Sequence, residues 1–316
     1  MIKIDKYKPE FEQEYLKFIK KRFKLSHTNG LEAESIRNKV KNKKYQQLYI
    51  DYFDSVSTNL DFILIGSLEE LIKINDVIWN ENYKLKQIID SNKAEYDNYI
   101  NICKTIFNYD DKLSKHKNFA YKLSRECGIN VCPYCNINYT YTISDKYNDY
   151  IRPDFDHFLP KSKYPILTLS LYNLIPCCHT CNHQKSDNEF SLIDNLYPYN
   201  EGLQHEKVFS HKIISININQ YEVMITNDNS KFKNNRIIFH LDEIYKASFN
   251  NIIHKKHEIA EMYCNNYLKS LENIDKSLRI QQLEEILGYT NDVQNTSLGK
   301  MTNDIIQEIV SDMNEL

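Results

Sequence analysis

Residues 177–188 read CCHTCNHQKSDN. Within this run Cys178 and Cys181 form a CxxC pair, and a second pair, Cys132 and Cys135 in CPYC, lies upstream. Each CxxC turn aims two thiolates at one point, and four thiolates are the donor set of a structural, tetrahedral Zn²⁺. The two pairs are separated by more than the ~15–20 residues of a compact zinc ribbon, which predicts a substantial insertion between the halves of the clip. Cys177 is an alternative to Cys178, although Cys178 has the spacing to Cys181. His179 and His183 are further candidate ligands. The chain holds eight cysteines, but with no secretory leader and with CxxC pairs present, metal binding is favoured over disulfides. A redox CxxC would need a βαβ context that the flanking sequence does not suggest.

Between the pairs, residues 152–187 read RPDFDHFLPKSKYPILTLSLYNLIPCCHTCNHQKSD. Asp156 and His157 are followed by Asn173 and then by Asn182, directly after the last clip cysteine. This arrangement resembles an HNH endonuclease, a member of the ββα-metal nucleases. The segments DHFLPKS, YNLIPCC and CNHQKSD carry the resemblance, and the last is similar to the CN..K ending of zinc-stapled HNH motifs. It is also similar to the third-ligand segment of the HNH domain in the RNA-guided CRISPR nuclease. The likeness spans Cys132 to Asn188. It implies a strand–strand–helix module in which Asn173 braces the intervening loop, with either Asn182 or His183 at the third position.

The residue types suit phosphodiester hydrolysis. An imidazole that titrates near neutrality, His157, can deprotonate water. The carboxylate of Asp156 can hold a hard divalent cation such as Mg²⁺ or Mn²⁺, with the Asn182 amide oxygen as a second ligand. Such a cation takes charge off the phosphate and the departing oxygen. Strand alternation sends neighbours to opposite faces, so His157 is expected to face the water while Asp156 reaches the metal. Lys161, Lys163 and Lys185 lie nearby as candidate phosphate contacts; a solvated face is the alternative. A small strand–strand–helix unit cannot rigidify itself, and zinc on Cys181 would fix Asn182 beside it.

The run HFLPKSKYP, together with FHLDEIYKAS at 239–248, is similar to a narrower group, the HNH subunits of Septu-type and retron-associated anti-phage systems. That likeness implies a DNA-cleaving defence nuclease acting beside an ATPase partner. The alternatives are a restriction-type HNH endonuclease and a non-catalytic, zinc-stapled nucleic-acid-binding or scaffold subunit.

Working outward, six of the seven prolines fall within residues 133–198. Long Pro- and Gly-poor segments with i, i+3, i+4 apolar spacing predict helices over 10–25, 67–90, 93–125, 241–272 and 302–314. Alternation predicts a strand over 138–144 and a hairpin over 213–227 turning near Asn219-Gln220. The interval 273–301 is ambiguous. The expected fold is α+β and mainly helical. A helical lobe (1–127) precedes a zinc-stapled HNH module (128–200), and a hairpin plus helices (201–316) follow.

Net charge is −3, which excludes a uniformly basic nucleic-acid coat but not a local basic patch. Residues 1–45 carry 13 Lys/Arg against six Asp/Glu. No apolar run approaches the ~20 residues of a membrane helix, and the start MIKIDKYKPEFEQEY lacks the apolar core of a signal peptide. A cytoplasmic protein is predicted.

Overall fold

The computed structural model describes residues 1–23, 39–41, 43–145, 148–215, 220–266 and 276–314. It is mainly helical with a few short strands. The N-terminal part comprises α1 (Pro9–Arg22), α2 (Gln46–Thr58), α3 (Leu60–Ile65), α4 (Leu68–Glu81), α5 (Tyr83–Ser91), α6 (Lys93–Ile106) and α7 (Lys117–Glu126), with a π-turn at Asp110–Ser114. The apolar spacing of α1 buries Phe11, Tyr15, Leu16 and Ile19. The predicted 67–90 helix is two helices, because the Asn82 side chain donates to the Ile78 carbonyl and to Ser55 Oγ and so ends α4. Ser67 and Glu70 form a reciprocal capping box that starts α4.

The central part holds three two-stranded antiparallel sheets in sequence with the helix that follows the second. Strands β1 (Ile143–Ser144) and β2 (Asp149–Ile151) pair; β3 (Asp154–His157) pairs with β4 (Leu174–Cys177); α8 (His179–Lys185) follows at once; β5 (Phe209–Ser215) pairs with β6 (Gln220–Ile225). The expected 138–144 strand is reduced to an isolated bridge, Val131↔Tyr139, and the two residues of β1. The hairpin forms but is shifted toward the N-terminus, with Gln220 inside β6 rather than in the turn; residues 216–219 lie outside the described residues.

The C-terminal part contains α9 (Ser230–Phe239), α10 (Leu241–Ser248), α11 (Asn250–Asn266), α12 (Lys276–Leu287) and α13 (Gly299–Asn314). The expected 241–272 helix is divided at Phe249, and residues 267–272 lie outside the described residues. Of the ambiguous interval 273–301, residues 276–301 form α12, a loop and the start of α13, and 273–275 lie outside the described residues.

One apolar cluster runs from Met1 to Val310 across both expected boundaries, at 127/128 and 200/201. The first residues bind the centre through Ile2 N–H to the Pro133 carbonyl and Ile4 N–H to the Pro198 carbonyl. The helical lobe grips the β3–β4 connection through Tyr15 Oη to the Leu169 carbonyl, at 2.8 Å, and through Ser170 Oγ to the Ile63 carbonyl. Among the described residues no helix is long and apolar enough to cross a membrane.

Candidate active site and metal centre

The four clip cysteines converge. Cys132, Cys135, Cys178 and Cys181 are buried, and their sulfurs all lie within 4.8 Å of one another. Cys135 Sγ and Cys178 Sγ are 4.0 Å apart, close to the ~3.8 Å edge of a tetrahedron with Zn–S bonds of about 2.3 Å and far beyond the ~2.05 Å of a disulfide. N–H donors face the sulfurs as they do around thiolates: Ile137 N–H to Cys135 Sγ, and the Asn138 amide to Cys178 Sγ at 3.3 Å. The donor set fits a metal such as zinc. Cys177 ends β4 opposite Asp154 and is not in the cluster; nor are His179 and His183.

Local sequence builds the clip. After CPYC the chain turns at Asn136 with φ of 52°, a left-handed conformation that Asn tolerates better than most residues. The Asn136 side chain then binds the C-terminal part, donating to the Val293 carbonyl and accepting from Lys300 N–H. Tyr245 Oη donates to the Cys135 carbonyl at 2.6 Å, and Phe239 stacks on Tyr134 at 4.6 Å. The 239–248 segment therefore buttresses the first half of the clip.

The second half leads into a cleft. Cys178 caps α8, its sulfur accepting from Cys181 N–H. Helix α8 packs on β3, and a cavity of about 340 Å³ is lined by His157, Asp154, Asn182, Arg152, Lys161 and Tyr109 among others. His157 and Asn182, some 25 positions apart in sequence, thus share one cavity.

His157 is buried at the end of β3. Its Nε2 lies 2.9 Å from the Thr168 carbonyl. A carbonyl only accepts, so Nε2 carries the proton and Nδ1 keeps its lone pair. Burial, reinforced by the Lys161 charge, lowers the imidazole pKa to about 3. This corrects the expectation of a ring titrating near neutrality: the ring stays neutral because a buried cation without a counter-ion is costly. Asn173 is fully buried and closes the β3–β4 loop; its Oδ1 accepts from Leu159 N–H and its Nδ2 donates to the Leu159 and Leu167 carbonyls. That loop carries Thr168, so Asn173 holds the carbonyl that orients His157.

Asp156 lines the same cavity, but its oxygens are already engaged. Its Oδ2 accepts from Tyr134 Oη at 2.7 Å and its Oδ1 from Lys185 Nζ at 3.2 Å. Both oxygens are engaged in the interior, and burial raises its pKa despite the Lys185 charge. Lys185 likewise departs from the expected phosphate contact: it is fully buried and also donates to the His157 carbonyl at 2.6 Å. Lys163 pairs with Glu189 outside the cleft. Of the three lysines only Lys161 lines the cavity.

The carboxylate beside Asn182 is Asp154. Its Oδ2 accepts from Asn182 Nδ2 at 3.2 Å and lies 2.9 Å from His179 Nδ1. Asp154 is two residues from Asp156 and so on the same strand face, a signal that the sequence contained. With Nδ2 turned to Asp154, the Asn182 amide leaves Oδ1 as its ligand atom. His183 is exposed and does not line the cavity. Arg152 and Tyr109 also join the cleft without any sequence signal; Tyr109 sets its ring edge-on to His157 at 5.1 Å. No family model, no curated protein and no solved structure matches the chain.

Proposed function

We propose that the protein is a metal-dependent nuclease of the HNH, ββα-metal kind, hydrolysing phosphodiester bonds of DNA. The observation that carries the reading is a neutral imidazole, His157, tethered through Nε2 and facing a cavity it shares with Asp154 and Asn182. The β3–β4–α8 order and the cysteine cluster at its base agree with that reading.

The oxygen donors suit a hard divalent cation such as Mg²⁺ or Mn²⁺. Asp154 and Asn182 would hold it, while Asp156 is committed to Tyr134 and Lys185. When bound, such an ion neutralises charge on the phosphate and the leaving oxygen. His157 Nδ1 takes the proton from the attacking water, and the Thr168 carbonyl keeps the ring aligned as the imidazolium forms. The negative phosphate raises the ring's proton affinity, opposing the desolvation that lowers it. Arg152 and Lys161 supply positive charge along the cavity wall. Zinc on the four cysteines is structural in this reading, with no open coordination position.

The likeness of HFLPKSKYP and FHLDEIYKAS to anti-phage HNH subunits supports a defence role in the cytoplasm beside an ATPase partner. The test of the activity is plasmid cleavage with Mg²⁺ or Mn²⁺ against an EDTA control. Metal-dependent nicking by the wild-type chain is the expected result, and intact plasmid under all conditions would refute the nuclease.

A further inference from the structure

The π-turn that walls the cleft has a second depression on its C-terminal flank. Tyr109, Asp110 and Ser114 line the cleft, and the next residue, Lys115, lines this other cavity of about 640 Å³. Phe18, Arg22, Lys117, Phe119 and Lys122 complete its main wall. Four side chains there are fixed cations at neutral pH. Lys115 pairs with Asp111 and Lys122 with Glu14, each at 2.6 Å, but both pairs are solvent-exposed and such pairs exchange partners at little cost. Among the described residues Arg22 and Lys117 have no carboxylate partner.

Arg22 is built into the wall. Its guanidinium stacks 3.2 Å over the Phe18 ring, and Phe18 stacks on Phe119 at 3.6 Å. One terminal nitrogen donates to the Phe18 carbonyl, whereas Nε is buried and has no acceptor among the described residues. Buried donors are almost always satisfied, so Arg22 is a cationic side chain of this wall that is short of an acceptor. Helix α7, ten residues long, begins at Lys117 with no side-chain cap, which adds uncapped N–H groups at the positive end of a helix dipole.

We propose that this depression binds backbone phosphates of the DNA strand whose scissile bond lies in the neighbouring cleft. The inference rests on the nuclease reading above and gives this cationic wall a role as a backbone clamp. The shared edge at Ser114–Lys115 supports continuity of one strand across both cavities. The contacts involve phosphates alone, so the clamp adds affinity without base preference.

The test uses the full-length chain carrying His157→Ala, which prevents turnover, and a labelled duplex oligonucleotide. Adding Arg22→Ala with Lys117→Ala is expected to weaken binding about tenfold and to reduce the slope of log affinity against log salt by about 2. The charge-conserving pair Arg22→Lys and Lys117→Arg is expected to restore most of the loss. Inorganic phosphate at matched ionic strength is expected to compete only weakly. Unchanged affinity and slope, or a loss that the charge-conserving pair does not rescue, would overturn the clamp; full competition by inorganic phosphate would overturn it in favour of a free-anion site. Plasmid cleavage by the wild-type chain separates the two readings. Cleavage with unaltered binding by the Ala pair removes the clamp alone, and no cleavage with the predicted binding loss removes the nuclease alone.

Discussion

Asp154 and Asp156 share a strand face and a residue type, yet their surroundings divide their tasks. Asp156 is enclosed by Tyr134 and Lys185, so its charge is spent inside the protein. Removing its partner should be costly: Lys185→Met leaves a buried carboxylate without a counter-charge and is expected to destabilise the chain by about 3–5 kcal/mol in urea unfolding. Adding Asp156→Asn should recover much of that loss, because the orphaned charge is gone. Both aspartates line the cavity, but Asp154 is the one that contacts Asn182 and, among the described residues, has no lysine bound to it. Asp154→Asn is expected to lower Mg²⁺-dependent cleavage about a hundredfold with the unfolding midpoint nearly unchanged; equal stability and equal activity would return the metal to Asp156. The sequence marked His157, Asn173 and Asn182 through the HNH-like segments DHFLPKS, YNLIPCC and CNHQKSD, which are local and legible in the chain. It named Asp156 and passed over Asp154; what distinguishes the two is Lys185 folding inward onto Asp156, a tertiary event.

At the scale of elements, the cysteine clip is a hinge-pin between α8 and the first CxxC turn. Cys181 is in α8 one residue before Asn182, and the clip's other half is held by Asn136, Tyr245 and Phe239. Replacing Cys181 by Ser is expected to abolish stoichiometric metal content and lower the thermal midpoint by many degrees, since the binding free energy of a structural zinc is part of the folding free energy. Metal analysis and thermal unfolding of the same sample check this; full metal content in the variant would contradict the clip. Elements were legible where periodicity was strong, as in α1 and α13. They were misjudged where a side chain intervened, as Asn82 does between α4 and α5, or where strand-like alternation found only a short partner. Tyr139 and Tyr141 illustrate the last case: they are exposed and stack on each other at 4.6 Å rather than joining a sheet.

For the whole molecule, one core ties the three sequence regions together, and acid is expected to loosen it from the C-terminal side. There, His211 Nδ1 lies 2.8 Å from Glu308 Oε2, and the Nε2 atoms of His211 and His257 are 2.8 Å apart. Burial lowers the His257 pKa to about 4, with the His211 charge adding to the effect. The Glu308 pKa is lowered to about 2: burial opposes the shift, and the hydrogen bond from His211 leads those that outweigh it. Both groups bind protons more weakly folded than unfolded, so stability rises with pH wherever the unfolded chain holds the extra proton. The expected profile is a falling unfolding midpoint between about pH 6.5 and 4 from His257, continuing below about pH 4.5 from Glu308. His257→Leu should flatten the upper part of that profile in thermal scans; an unchanged slope would remove His257 as its source. The three-region division of the sequence followed Pro density and could not foresee this continuity, which is made by distant contacts such as Ile2 to Pro133 and Asn136 to Val293.

The most direct measurement compares the Mg²⁺-dependent nicking rate of supercoiled plasmid by the wild-type chain and by His157→Ala at equal metal content and equal thermal midpoint. The imidazole account predicts nicking by the wild type and a loss of about 10²-fold or more in the variant. Equal rates in both would show that His157 takes no proton and that the cleft is not where the bond is broken.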